Sequence, residues 1–407
     1  MGRSATESRH SALRPDAALL HPCAECRLLA SCRLFARLSP SALRLREGIL
    51  MDSFSESYAE ARGKFLVACA GAGVRVTSYS RQGLTGEAGE ALATDVACLG
   101  PEDTERAAIV ICGTHGSEAF AASAILTRWL SSRNDGGLGV RLVLVHAINP
   151  WAFAHRTRTD EDNVDINRNF LVFDGGPLPD NPAYDPVVPF LHHDPSDAAE
   201  VLQSHRAYKA HFDTHGWALE GEVWSGQWHR PDGVMYGGKA PSWSNVTFRR
   251  IVREHLSRAR TIGFLDWHTC MGQFGEIVHL IFDAPDSDEH RAATGWWGLT
   301  AKENSAFKTG EKPNYRGLLC RAIGQERPDA RIAGAVVEFG TADDYQIFRG
   351  DLIDRWLRFE GRHHPDASAL RASYVDICCP RDVSWRRLVE ARGPALMDQL
   401  LAGVAAW

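Results

Sequence analysis

Apolar residues in this chain gather in short runs separated by longer stretches with helical spacing. AAIVICG (107–113), RLVLVHAI (141–148), IGFLDWH (262–268), EIVHLIF (276–282) and AGAVVEFG (333–340) have the length and β-branching of buried strands. Between the first two, SEAFAASAILTRWL (117–130) reads as a helix, and further helical stretches lie around 197–213, 246–260, 289–307, 350–359 and 384–404. This alternation predicts an α/β fold: a single domain with a mixed, mostly parallel central sheet and helices on both faces. The Pro-, Gly- and Asp-rich segment from Asp174 to Pro195 reads as a surface loop near the site. Neither an internal repeat nor a low-complexity tract interrupts the pattern.

The start of the chain departs from it. Residues 1–50 are rich in Arg, Ser, Leu and Ala and free of Lys, with no clear strand or helix punctuation. A secretory signal needs a compact apolar core and a small-residue cleavage site, and this stretch has neither. An organelle transit peptide and a translated leader upstream of an initiator at Met51 both fit. The second is favoured, because MDSFSESYAEARGKFLVACAGAG opens an amphipathic helix at once. Ser53 is its candidate N-cap, and Gly71 and Gly73 are its stop signals. The expected division is a disordered leader or mis-assigned start over 1–50 and a catalytic domain over 51–407.

Composition narrows the function classes. With 407 residues, 44% hydrophobic and 24% charged, the chain has the make-up of a soluble globular protein that needs no disulfide or metal staple. A net charge of -6 gives no general attraction to nucleic acid or anionic membrane, so neither is an expected partner. No apolar run approaches the roughly 20 residues that span a bilayer. The ten cysteines follow no disulfide framework, which points to free thiols in a reducing, cytoplasmic setting. Cys23, Cys26 and Cys32 imitate half a zinc ribbon, but no second half follows. No sequence feature speaks to oligomeric state.

Three motifs at strand ends carry the candidate chemistry. GTHGSEAF follows a strand and opens a helix; Gly113 and Gly116 permit a tight turn, and the spacing lets His115 and Glu118 converge on one ion. LDWHTCMG brings His268 to the carboxyl edge of another strand, where ligands collect in open α/β sheets. Asp266, two residues earlier on the same face, either orients the site or caps the strand. VVEFGT ends a strongly apolar strand in Glu338, a carboxylate that is costly there unless bonded, paired or functional. Two histidines and one carboxylate can hold Zn²⁺ with a position left for water, and a further glutamate can deprotonate that water. VDINRNF adds Asp165, Asn167 and Arg168, with Arg168 pointing away from the other two unless the chain turns; Arg and Asn together can grip a carboxylate. Arg156 and Arg158 in HRTRTDEDN are further cations, either of which can polarise a carbonyl.

In order, spacing and strand context these motifs resemble the zinc carboxypeptidases of the carboxypeptidase A superfamily, most closely a bacterial branch catalogued as a domain of unknown function. The resemblance runs from about Phe54 to the C-terminus. It implies one zinc per chain held by His115, Glu118 and His268, with Asp165 orienting the first histidine. It implies Glu338 as general base, Asn167 and Arg168 as the grip on the substrate's carboxylate, and Arg158 as the carbonyl-polarising cation. Tyr315, in KPNYRGLL, falls about where the family's mobile tyrosine lies, though no motif marks it. The usual glycine after the first glutamate is Ala119 here, and Cys270 replaces another glycine; both changes bear on substrate fit more than on the metal. The implied activity is zinc-dependent hydrolysis of an amide or peptide bond next to a carboxylate. Deacylation of small N-acyl amino acids, of the desuccinylase or aspartoacylase type, is the alternative, and an inactive metal-binding homologue the third.

Overall fold

The computed structural model describes residues 53–133, 137–299 and 313–407. Its strands are β1 (Val76–Thr85), β2 (Ala91–Leu99), β3 (Arg106–Ile111), β4 (Arg141–His146), β5 (Thr261–Thr269), β6 (Ile277–Leu280) and β7 (Arg331–Phe339). They join in one sheet of order β1-β2-β4-β3-β5-β7-β6. β4, β3, β5 and β7 run parallel to one another, while β2 pairs antiparallel with both β1 and β4, and β6 pairs antiparallel with β7. The sheet is thus mixed and mostly parallel, as expected.

The hairpin of β1 and β2 lies outside the predicted runs. β1 is an edge strand with most of its residues exposed, so no apolar alternation marks it. β2 buries Asp95, which interrupts its apolar run; Arg62 Nε meets that carboxylate at 2.6 Å. An ion pair on the buried face hides the strand from a hydrophobicity pattern.

The longer helices are α1 (Tyr58–Gly71), α2 (Ala119–Ser132), α3 (Ala198–His215), α4 (Trp243–His255), α5 (Asp288–Trp297), α6 (Asp344–Phe359), α7 (Ala367–Cys378) and α8 (Val383–Ala406). Successive residues of β3 feed opposite cores: Ala108 and Val110 pack with α1, α2 and α8, whereas Ile109 and Ile111 pack with Phe248 and Ile251 of α4. Helices therefore cover both faces.

Several boundaries differ from expectation. α1 is capped by Ser57, whose hydroxyl accepts from the Glu60 N–H, and not by Ser53. α4 stops at His255 because β5 begins at Thr261. α6 begins at Asp344 behind an Asp343 cap, and α7 has no counterpart among the predicted helices. The segment from Asp174 to Pro195 is more than surface loop, since Tyr184, Val187 and Leu191 are buried with Phe212 and Phe348. Residues 1–50 with Cys23, Cys26 and Cys32, and the predicted helical residues 300–307, lie outside the described residues. Among the described residues no helix is long and apolar enough to cross a membrane.

Candidate metal centre

The carboxyl ends of β3, β5 and β7 meet at the site. After β3 the chain turns through Gly113, whose φ of +78° favours glycine and where a Cβ would lie 2.6 Å from that of Ala147. Gly116 lets the turn pass against the Ala152 backbone, where a Cβ would come within 2.0 Å. This tight turn presents His115 and Glu118 at the start of α2.

His115, Glu118 and His268 are all buried, and one donor atom from each lies within 4.8 Å of the others. Glu118 Oε1 is 2.8 Å from His115 Nδ1, and Oε2 is 3.2 Å from His268 Nδ1. Each imidazole turns its other nitrogen to a carboxylate: His115 Nε2 lies 3.1 Å from Asp165 Oδ1, and His268 Nε2 lies 3.1 Å from Asp266 Oδ2. The second contact is a charge approach without hydrogen-bond alignment. Asp266 is itself held by the Thr114 hydroxyl at 2.8 Å.

The electrostatics of the cluster favour a cation. Burial raises Asp165, but Arg158 and His115 outweigh it and hold its carboxyl well below the ordinary range. Burial acts against a charged His268, yet Asp266 and Glu118 outweigh it and lift that imidazole well above its usual value. Two imidazoles backed by carboxylates and facing a third form a nest for positive charge, which fits a metal ion. A His₂Glu donor set suits zinc.

Glu338 stands beside this nest, with Oε2 accepting from the Met271 N–H at 3.3 Å. Burial, with Glu118 adding to it, raises its carboxyl to about 8 against the pull of His268 and Arg158. A carboxylate in that range can both take and return a proton near neutrality.

Arg158 and Arg156 part company. Arg158 donates to Asp165 Oδ2 from Nε and Nη2 at 3.1 Å each, and its Nη1 lies 3.5 Å from Glu118. Its own N–H is fixed by Asp354 Oδ2 at 2.9 Å. Arg156 instead pairs with Glu87, away from the cluster. Of the two arginines, Arg158 is the one that reaches the His115–Glu118–His268 cluster.

The short 3₁₀ turn Ile166–Arg168 bends the chain so that Asn167 and Arg168 border the same cavity. Asn167 Oδ1 accepts from the Leu319 N–H at 2.9 Å. Arg168 donates to the Asn167 and Trp224 carbonyls, each at 2.8 Å, and its guanidinium lies 4.9 Å over the Tyr315 ring. Its Nε finds no partner among the described residues. Glu338, Arg158, Arg168, His115, Glu118 and His268 open on one cavity of about 1070 Å³.

Sequence reasoning missed Thr114, Asp354 and the wall formed by α6 and α7. Tyr374 of α7 accepts a hydrogen bond from Ser117 at 3.0 Å beside Glu118. No local motif marks these residues; they reach the site only through tertiary packing.

Solved structures with a related chain path include carboxypeptidase A from Helicoverpa armigera, at 12% identity and TM-score 0.42 over 86% of this chain and 78% of that one. Bovine thrombin-activatable fibrinolysis inhibitor, in complex with tick carboxypeptidase inhibitor, matches at 12% and 0.41 over 80% and 97%. A succinylglutamate desuccinylase from Silicibacter sp. TM1040 matches at 13% and 0.33 over 70% and 67%. These likenesses are distant. No curated protein matches the sequence. Residues 54–392 match the model of one family, described as "Protein of unknown function (DUF2817)", and the chain belongs to that family.

Proposed function

We propose that this chain is a zinc-dependent hydrolase that cleaves an amide or peptide bond next to a carboxylate, in the manner of a metallocarboxypeptidase. One observation carries the reading: Glu338, a buried carboxylate, opens on the same cavity as the His115–Glu118–His268 cluster. One zinc ion is held by these three residues. When bound, it supplies Lewis acidity, polarising a carbonyl oxygen and acidifying water.

The chain's own residues do the rest. Arg168, pre-placed by two backbone carbonyls, binds the substrate's carboxylate with Asn167 beside it. Arg158 stabilises negative charge that develops on the scissile carbonyl oxygen. Glu338 accepts a proton from the attacking water and returns it to the departing amine. Asp165 and Asp266 hold the two imidazoles in orientation throughout.

The cavity of about 1070 Å³ has room for a peptide as well as for a small N-acyl amino acid, and the peptide is the favoured reading because Arg168 and Asn167 border the same space. A reducing, cytoplasmic setting belongs to the same reading, supported by seven free cysteines among the described residues.

The test is mass spectrometry of zinc-loaded protein incubated with free-ended peptides, C-terminally amidated peptides and N-acyl amino acids. Stepwise loss of C-terminal residues from the free-ended peptides alone is expected. Cleavage of only the N-acyl amino acids would assign the chain to the deacylases instead, and cleavage of none would remove the hydrolase reading.

A further inference from the structure

Arg168 is buried, and among the described residues its guanidinium is held by two backbone carbonyls, those of Asn167 and Trp224, each at 2.8 Å. The first belongs to its own 3₁₀ turn. The second ends the short helix Ala218–Trp224. The last carbonyls of a helix have no partners within it, and so short a helix is marginal without outside support. Something else must therefore fix the Trp224 carbonyl in place.

Asn181 does so. Its side-chain amide donates to the Glu222 carbonyl at 2.8 Å and to the Gly226 carbonyl at 2.7 Å, one on each side of Trp224. Its Oδ1 accepts from the Ala183 N–H at 3.2 Å, so both amide protons are directed to those two carbonyls. The same turn meets Arg168 a second time, since a Cβ at Gly226 would lie 2.7 Å from Arg168 Cδ. A shift of residues 222–226 thus reaches Arg168 both at its guanidinium and along its stem.

Asn181 belongs to the segment from Asp174 to Pro195, whose composition reads as a surface loop. Asn181 is itself buried, and its carbonyl accepts from the Tyr184 N–H at 3.2 Å. Tyr184 is buried in turn, and its hydroxyl accepts from the Val234 N–H at 2.8 Å. The segment is an anchored strap that carries one amide to the back of Arg168.

We infer that Asn181 is a positioning residue for substrate recognition: through the Trp224 carbonyl it sets the place of Arg168, and with it the preference for a free carboxylate at the end of the substrate. The inference rests on the proposed grip of Arg168 on that carboxylate. An amide that only tied the segment to the helix would serve free-ended and amidated substrates alike.

The experiment is calorimetric titration of the full chain, zinc-loaded and carrying Glu338→Gln, with one peptide in free-ended and amidated forms. It is repeated with Asn181→Asp or Asn181→Ala added. Asn181→Asp keeps the shape but presents oxygen to both carbonyls. Asn181→Ala removes the bonds without adding charge, and carries the test if the first variant does not fold. In the parent the free-ended form is expected to bind more tightly. In the variants that advantage should fall by about tenfold, with affinity for the amidated form unchanged. With Arg168→Ala in place, Asn181→Ala should have no further effect on the ratio. An equal loss on both forms, a ratio that survives, or a further effect without Arg168 would overturn the inference and leave the hydrolase reading standing. No advantage for the free-ended peptide in the parent would remove the carboxylate grip from that reading, and this inference with it.

Discussion

His268 and Glu338 are register partners on the adjacent parallel strands β5 and β7. Direct pairing places both side chains on the same face of the sheet at its carboxyl edge. The proposed metal ligand and the proposed base are therefore held together by backbone hydrogen bonds, not by a flexible loop. A slip of one residue in this pairing would turn one of them to the opposite face.

The carboxylates behind the histidines should matter to metal binding almost as much as the ligands. Asp165→Asn and Asp266→Asn are each expected to weaken zinc affinity by about 10- to 100-fold while leaving the fold intact. Competition against a chromogenic chelator measures this. Unchanged affinity in both variants would mean that the imidazoles are oriented by packing alone.

Much of this arrangement is legible in the sequence because the motifs sit where strands end. The apolar runs before His268 and Glu338 mark central strands, and the Gly113 and Gly116 turn marks the strand-to-helix corner that carries His115 and Glu118. Asp266 is readable from its two-residue spacing to His268, but only tertiary structure shows that Thr114 holds it. Cys270 stands in place of a glycine at a φ of +93°, the region where glycine is at ease, so the departure seen in sequence is also a backbone cost. The β1–β2 hairpin and α7 escape notice for different reasons. Asp95 breaks the apolar run of β2, whereas α7 buries Leu370, Tyr374, Ile377 and Cys378 at regular helical spacing, a signal the sequence reading passed over.

Arg168 offers a test of substrate recognition. Its guanidinium is anchored by the Asn167 and Trp224 carbonyls, so removing it should cost the charge-assisted contact to a substrate carboxylate. Arg168→Ala is expected to raise KM for free-ended peptides by roughly 10- to 100-fold with a smaller change in kcat. Steady-state kinetics on free and amidated versions of one peptide will show it. An equal loss on both would assign Arg168 a structural role instead.

Asp354 should prove to be a positioning residue. It fixes Thr157 and the Arg158 backbone and pairs with Arg371, all within a buried region. Asp354→Ala leaves a cation without its partner and is expected to destabilise the fold by about 3 kcal/mol. Urea unfolding of the variant gives the value, and a change under about 1 kcal/mol would show the network to be dispensable.

His146 makes stability depend on acidity. It is fully buried, stacks on Phe65 at 4.5 Å and bonds Ser123 at 2.8 Å. Burial lowers its pKa to about 4 from an ordinary value of 6.5. Between these values the unfolded chain binds the proton more readily than the folded one, so stability falls as pH drops from 6.5 toward 4. The loss from this group is on the order of 2–3 kcal/mol. Unfolding midpoints at pH 7 and pH 4.5 for the native chain and for His146→Gln should differ in slope, with the variant less sensitive; equal slopes would argue against it.

One zinc is expected among His115, Glu118 and His268, with Glu338 as the base beside it. The most direct measurement is zinc content by elemental analysis, together with peptide hydrolysis, in the native chain and in Glu338→Gln. The expected result is one zinc per chain in both, with turnover in the variant lower by about 10²- to 10⁴-fold. A native chain that takes up no zinc would rule out the metal centre, and a variant that hydrolyses peptide at the native rate would rule out Glu338 as the base.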